Sequence, residues 1–273
     1  MTEAPQPHQP TGVAIAECRY GKMMYLRGDV FIGRSLEHYG EFSEIEVAAL
    51  LRLIGPGDVV VDAGANIGAL MLPFARRVGP QGRVYAFEPQ LTMFHLLAGN
   101  IALNELTQVE ALRIALGDRG GIVAMPSLGY RATANYGGLA LGTEGPAREE
   151  APLRRLDDFG LDSLRLLKAD VEGTENQLIA GAAETKRRCR PVLWIENDRR
   201  AKSAELISRL LAFDYRLWWH IAPLFNPDNF NGDKTNVIGP YVSINVLGIP
   251  VEMNANIAGL REITGAEDWW KPD

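Results

Sequence analysis

Apolar and polar positions along this chain switch repeatedly between short runs and helical spacing. From Val13 to Ile32, brief apolar runs (Met23–Leu26, Val30–Ile32) are broken by charges and glycine, a pattern of small strands or a hairpin. Ser43 and Glu46 have capping-box spacing, and Ile45, Val47, Leu50, Leu51 and Ile54 recur near helical intervals until Gly55-Pro56-Gly57 stops the element. Val59-Val60-Val61 is a continuous β-branched run, as expected of a strand buried on both faces, and it ends at Asp62 in a glycine-bearing turn. The alternation continues with a helix about Ala69 to Val78, a strand Arg83 to Phe87, a helix about Leu91 to Leu103 and a strand Val109 to Ala115. Pro73 requires the first of these helices to start late or kink, because an interior proline removes a ladder bond and clashes with the preceding turn.

Between Gly120 and Pro152 the composition shifts to Gly, Ala, Thr and Pro, which predicts an inserted loop or hairpin. The rhythm then resumes: strand Leu164 to Ala169, a helix from Thr174 with Gln177 as its capping partner, strand Val192 to Ile195, and helix Lys202 to Leu211. Strands Tyr215 to Ile221 and Tyr241 to Leu247 flank an Asn-rich loop. The pattern predicts an α/β protein with a doubly wound, mostly parallel sheet of about seven strands. Residues 1–38 read as a tail with a small β extension, and residues 39–273 as the main domain, with its insertion near 120–152.

Composition narrows the function. The 273 residues are 47% apolar and 23% charged, ordinary for a folded globular chain, and the formal charge of −6 disfavours a nucleic-acid partner. The two cysteines, Cys18 and Cys189, are far apart in sequence, which speaks for a reducing compartment rather than a disulfide framework. The apolar stretch at residues 63–75 is far shorter than the ~20 residues of a membrane helix, so no span is expected. Residues 1–11 lack the pattern of a signal peptide, and the expected location is the cytoplasm.

The chemistry is concentrated at strand ends. The first βα turn reads Asp62-Ala63-Gly64-Ala65-Asn66-Ile67-Gly68, with glycines where a ligand's approach to the backbone would exclude a Cβ. Twenty residues beyond Gly68, Glu88 ends the second strand, where a carboxylate can accept both ribose hydroxyls. A dinucleotide site would read G-x-G-x-x-G, and glycines at 64 and 68 alone do not suit a pyrophosphate. Asp62 would repel phosphate but suit an ammonium group, so S-adenosylmethionine fits better than NAD. The bland alternative makes Asp62 and Asn66 helix caps and Glu88 a solvated acid.

Four segments, VVVDAGANIG (Val59–Gly68), RVYAFEP (Arg83–Pro89), NIALN (Asn100–Asn104) and LLKADVEG (Leu166–Gly173), resemble in order the motifs of FkbM-type methyltransferases. The resemblance implies a class I, Rossmann-like methyltransferase fold that binds S-adenosylmethionine and methylates a hydroxyl of a sugar or related natural product. Pro89, Asn104, Ala115, Leu116 and Glu44 then join Asp62, Gly64, Asn66, Gly68 and Glu88 as expected cofactor-binding residues. Ala169 and Thr174 depart from the bulkier apolar and the aromatic residue usual there.

A second constellation follows the fourth and fifth strands: Asp170 and Glu172, then Glu196, Asn197 and Asp198. Asp170, Asn197 and Asp198 resemble the oxygen set with which catechol-type methyltransferases hold a divalent ion, so Mg²⁺ is one reading and solvated or capping acids the other. Methyl transfer needs the acceptor oxygen in line with the S–CH₃ bond and its proton removed. Asp170 is the first candidate base and His220 the next. Tyr39, Glu44 and Glu46 are placed to form a lid, and the loops at 130–138 and 225–236 carry aromatic and amide groups suited to a small-molecule or glycan acceptor. The rival functions are an N-methyltransferase acting on a small molecule or peptide, a catalytically silent cofactor-binding subunit, and an NAD-dependent oxidoreductase.

Overall fold

The computed structural model describes residues 12–139 and 148–271; the N-terminal tail and the middle of the inserted segment lie outside the described residues. In chain order the elements are β1 (Val13–Cys18), β2 (Gly21–Leu26), α1 (Ile32–Tyr39), α2 (Glu44–Leu50), β3 (Val59–Ala63), α3 (Met71–Val78), β4 (Arg83–Phe87) and α4 (Leu91–Leu103). Then come β5 (Val109–Leu112), β6 (Ala115–Leu116), β7 (Gly121–Pro126), β8 (Arg148–Arg154), β9 (Leu166–Ala169), α5 (Glu175–Ala180) and α6 (Ala183–Cys189). The chain finishes with β10 (Val192–Glu196), α7 (Arg200–Leu211), β11 (Tyr215–Pro223), β12 (Val242–Pro250) and β13 (Arg261–Ile263).

The central sheet has the order β13-β11-β12-β10-β9-β3-β4-β5. The five strands from β10 to β5 are parallel, whereas β12 runs antiparallel to both β10 and β11, and β13 antiparallel to β11. The sheet is therefore mixed and eight-stranded, not the mostly parallel seven expected. The additional strand, β13, is three residues long with one buried side chain, too little pattern to stand out. The run expected at Val109 to Ala115 also divides: β5 continues the central sheet, and β6 joins β7 and β8 in a separate three-stranded sheet built from the insertion.

Each face of the sheet has its own core. Val60, Val84, Trp194 and Leu247 pack on one side with α3, α4 and the β1–β2 hairpin, and Val61, Phe87, Leu167 and Ile195 on the other with α5 and α7. Fully burying each such side chain stabilises the fold by roughly 1.5–3 kcal/mol. Pro73 falls at the third residue of α3, in the first turn, where its missing N–H would have no partner within the helix in any case; the helix starts late, at Met71. Val30–Ile32 is not a strand, since Ile32 opens α1, whose buried Leu36 and Tyr39 lie at helical spacing. The β1–β2 hairpin is fastened to α4 by the buried Asn100, which accepts the Met24 N–H at 2.6 Å and donates to the Met24 and Ile67 carbonyls at 3.0 and 2.8 Å. Among the described residues, no helix is long and apolar enough to cross a membrane.

Candidate active site

Strand register decides which polar groups meet. Asp62 on β3 pairs with Lys168 on β9, and Lys168 with Trp194 on β10, so the three share one rung and one face. One step outward from the Phe87, Ala63, Ala169 and Ile195 register lie Glu88, Gly64, Asp170 and Glu196, and Glu196 in turn pairs with Asn245, opposite His220. A cavity of about 320 Å³ opens over this carboxyl edge, lined by Gly64, Asn66, Glu88, Lys168, Asp170 and Glu196 among others. Such an edge is where open α/β sheets bind ligands.

At one end, Glu88 is 3% exposed and accepts the backbone N–H groups of Asn66 at 2.8 Å and Gln90 at 2.9 Å. Burial pushes its carboxyl up to about 7, against the pull of those two N–H groups. Asn66, Pro89, Ala115 and Leu116 line the same cavity, as the sequence anticipates. Gly64 has φ +74°, and a Cβ there would collide with the Asp170 carbonyl oxygen. The glycine is required for strand-end packing, independently of any ligand.

Asp62 does not reach the cavity. It is fully buried, with its carboxylate 3.2 Å from the Lys168 ammonium, which also donates to the Gly64 carbonyl at 3.0 Å and stands 3.8 Å from Asp170. Burial alone would lower the Lys168 pKa, but Asp62 and Asp170 outweigh it and hold the ammonium charged. The expected pairing of Asp62 with a ligand ammonium is therefore replaced by an internal ion pair beneath the cavity floor.

At the other end, Asp170, Glu172 and Glu196 bring carboxylate oxygens within 4.8 Å of one another. Arg199 lies among them, 2.5 Å from Glu172 and 3.7 Å from each of Glu196 and Asp198. Burial and then Asp170 push Glu172 up to about 7, and the same causes raise Glu196 well above the usual carboxylate range. The set Asp170, Asn197 and Asp198 does not assemble: Asn197 is buried, donates to Ser203 at 2.9 Å and does not line the cavity. A divalent ion held by Asp170, Glu172 and Glu196 would have to compete with the Arg199 guanidinium, which already pairs with Glu172, Glu196 and Asp198.

The Methyltransferase FkbM domain matches residues 62–217, more than half of the chain, including Gly64, Glu88, Lys168, Asp170, Glu172 and Glu196. The chain belongs to the FkbM methyltransferase family. It is 31% identical to "Methyltransferase sdnD" of Sordaria araneosa over 157 residues, 46% of this chain and 60% of that protein, so the match spans less than two thirds of that relative. It is 27% identical to "31-O-demethyl-FK506 methyltransferase FkbM" of Streptomyces tacrolimicus over 248 residues, 79% of this chain and 90% of the relative. Among solved structures, a methyltransferase FkbM from Methylobacillus flagellatus KT is similar at 18% identity, covering 70% of this chain and 43% of that one, with a TM-score of 0.47.

Several expected site residues of this FkbM-family chain serve its architecture instead. Gly68 does not line the cavity, and a Cβ there would press on Met71 and Leu97. Asn104 caps α4 and donates to the Lys22 carbonyl at 2.7 Å, tying down the hairpin. Glu44 accepts the Tyr20 hydroxyl at 2.8 Å, away from the cavity. Tyr39 is buried and donates to the Thr235 carbonyl at 3.0 Å, so neither residue forms a lid. His220, the second candidate base, is 7% exposed, packs 4.5 Å from the Trp194 ring and does not line the cavity. Asn135, Gly137 and Gly138 of the first expected acceptor loop do line it, whereas the 225–236 loop folds back onto α1 and Glu41.

Two groups of the site escape a reading of the sequence: Lys168 is hidden in a strand and Arg199 in a helix start. Glu46 is read from the sequence either as part of a lid or as the capping partner of Ser43. No cap forms: Ser43 adopts φ +50°, its hydroxyl donates to Glu46 at 2.9 Å, and Glu46 turns inward to accept Trp194 Nε1–H at 2.8 Å. The capping pair expected at Thr174 and Gln177 is absent too, as Thr174 donates to the Val171 carbonyl at 3.0 Å. For Lys168 the usable signal is a lysine inside the otherwise apolar strand Leu164 to Ala169, since a buried cation needs an acid beside it.

Proposed function

We propose that this protein is an S-adenosylmethionine-dependent O-methyltransferase acting on a hydroxyl of a sugar or related small molecule. The observation that carries the reading is Glu88: a buried carboxylate fixed by two backbone N–H groups at one end of a cavity whose other end is acidic. A ribose would donate its hydroxyls to Glu88, and the wall of Ala115 and Leu116 suits an adenine ring. When bound, the cofactor supplies an electrophilic methyl group on a cationic sulfur. Asp170, 43% exposed at the side chain and facing the cavity, is the group that takes the acceptor hydroxyl's proton as the new O–C bond forms. The rest of the contribution is positioning, with the acceptor oxygen held in line by the cavity walls. Oxygen as the acceptor atom is supported by the names of two relatives, the Streptomyces FkbM protein and "2-O-methyltransferase NoeI" of Sinorhizobium fredii, 25% identical over 173 residues.

Calorimetry with S-adenosylhomocysteine and NADH tests the cofactor; binding of NADH alone would sink the proposal. A panel of sugars and alicyclic alcohols incubated with S-adenosylmethionine, read by mass spectrometry, tests the acceptor class. Because Arg199 already pairs with Glu172, Glu196 and Asp198, we propose metal-free transfer: turnover of any acceptor found should be unchanged by EDTA. Asp170→Asn should lower it by about 10²–10⁴. Loss with EDTA and recovery with Mg²⁺ would restore the metal reading.

A further inference from the structure

The charge balance around the cavity singles out one carboxylate. Glu88 is held by backbone amides, Asp170 stands beside Lys168, and Glu172, Glu196 and Asp198 share Arg199. Glu46 also lines the cavity and is 6% exposed, yet its oxygens meet only neutral donors among the described residues. Trp194 Nε1–H and Asn245 Nδ2–H donate to Oε1 at 2.8 and 3.2 Å, and the Ser43 hydroxyl to Oε2 at 2.9 Å. A buried carboxylate without a counter-ion is costly, so three converging donors on an acid at a cavity wall mark a place where a ligand brings the positive charge.

Register places that acid over the correct part of the sheet. Trp194 on β10 and Asn245 on β12 both bond to Glu46, so the acid overhangs the β10–β12 pair, and Trp194 stands next to Lys168 on the rung that continues to Asp62. Glu46 shares the cavity lining with Gly64 of the glycine turn, and the sealed Asp62 lies two strands from β10, on β3. The cofactor's methionine moiety carries one ammonium group, and the acid that the sequence offers for it is unreachable.

We propose that Glu46 receives the α-ammonium of the cofactor's methionine moiety, in the place the sequence assigns to Asp62. The assignment rests on S-adenosylmethionine being the cofactor. Burial raises the Glu46 carboxyl above its usual range, and an incoming ammonium would restore its ionised form. Glu46 adds to the negative field that holds Lys168 charged, but the direct contacts of that ammonium go to Asp62, Asp170 and the Gly64 carbonyl, which leaves the Glu46 oxygens open to a ligand.

The test compares S-adenosylhomocysteine with its deaminated analogue, which lacks only the ammonium, by calorimetry. Wild-type protein should bind S-adenosylhomocysteine at least about tenfold more tightly than the analogue, the size of one charge-assisted hydrogen bond. Glu46→Gln should bind S-adenosylhomocysteine about ten- to a hundredfold more weakly than wild type and treat the two ligands alike. Asp170→Asn should keep the discrimination. Equal wild-type affinities, discrimination that survives in Glu46→Gln, or discrimination lost in Asp170→Asn instead would each overturn the assignment. If Glu46→Gln fails to fold, Glu46→Asp replaces it: the withdrawn carboxylate should lose most of the discrimination, and full retention overturns the proposal. No binding of S-adenosylhomocysteine by the wild type is a different result, which removes the cofactor reading and this assignment with it.

Discussion

Glu88 is a carboxylate whose burial and whose expected ligand pull its proton in opposite directions. In the free protein burial raises it to about 7, so its folded state holds a proton that the unfolded chain releases near the ordinary carboxylate value. The stability this group contributes is present at low pH and lost as pH rises through about 7. The melting temperature of Glu88→Gln should therefore gain on that of wild type as pH rises over this window. A ribose donating to the ionised carboxylate reverses the sign for binding: affinity for S-adenosylhomocysteine should rise about ten- to thirtyfold from pH 5.5 to 7.5 and then level off, with little change in Glu88→Gln. A flat wild-type profile would show that Glu88 does not meet the ligand. At Lys168 the effect is structural. Removing its ammonium strands the fully buried Asp62, so Lys168→Met should cost about 3–5 kcal/mol in denaturant unfolding. The double variant Asp62→Asn/Lys168→Met should recover part of that loss; an additive pair would show that the two charges do not interact.

At the scale of elements, the βα units are legible because buried strands and amphipathic helices leave strong periodic signals. The helix read at Leu91 to Leu103 is α4 residue for residue, and the strand Arg83 to Phe87 is β4. Boundaries governed by a single side chain are less so. Ser43 and Glu46 satisfy the capping pattern, but burial of Glu46 against Trp194 outweighs the local bond, and no sequence rule sees a tryptophan so far along the chain. Asn100 is the matching case in α4, since its amide looks like a helix blemish yet completes the hydrogen bonds of the hairpin. Asn100→Leu should lower stability by about 1–3 kcal/mol, because the Met24 and Ile67 groups it satisfies are left without partners. Protection of the Met24 amide from hydrogen exchange should fall in the same variant, and unchanged protection would show that the hairpin is held by other contacts.

Over the whole molecule, the mixed sheet explains why the cavity has two dissimilar ends. The parallel strands β3, β4 and β5 direct their carboxyl ends, and Glu88, toward one half, while the antiparallel return of β12 brings Asn245 and the cavity wall at Val242 and Ser243 over the other. The insertion adds Asn135, Gly137 and Gly138 to the cavity wall, and Gln90 next to Glu88 donates to the Tyr136 carbonyl at 3.0 Å.

The sequence alone determined the α/β order, the glycine turn, and the strand-end acids Glu88, Asp170, Glu172 and Glu196, because those depend on local periodicity and on residues at fixed offsets from a strand. It could not determine which of several acids faces a ligand. That choice is set by cross-strand register and by competition for buried counter-charges: Lys168 takes Asp62, Arg199 takes the outer acids, and Glu46 is left facing the cavity with no cation in direct contact among the described residues. Each of these pairings joins residues far apart in the chain, and electrostatic energy depends on distance in space and on burial, neither of which exists before the sheet has formed.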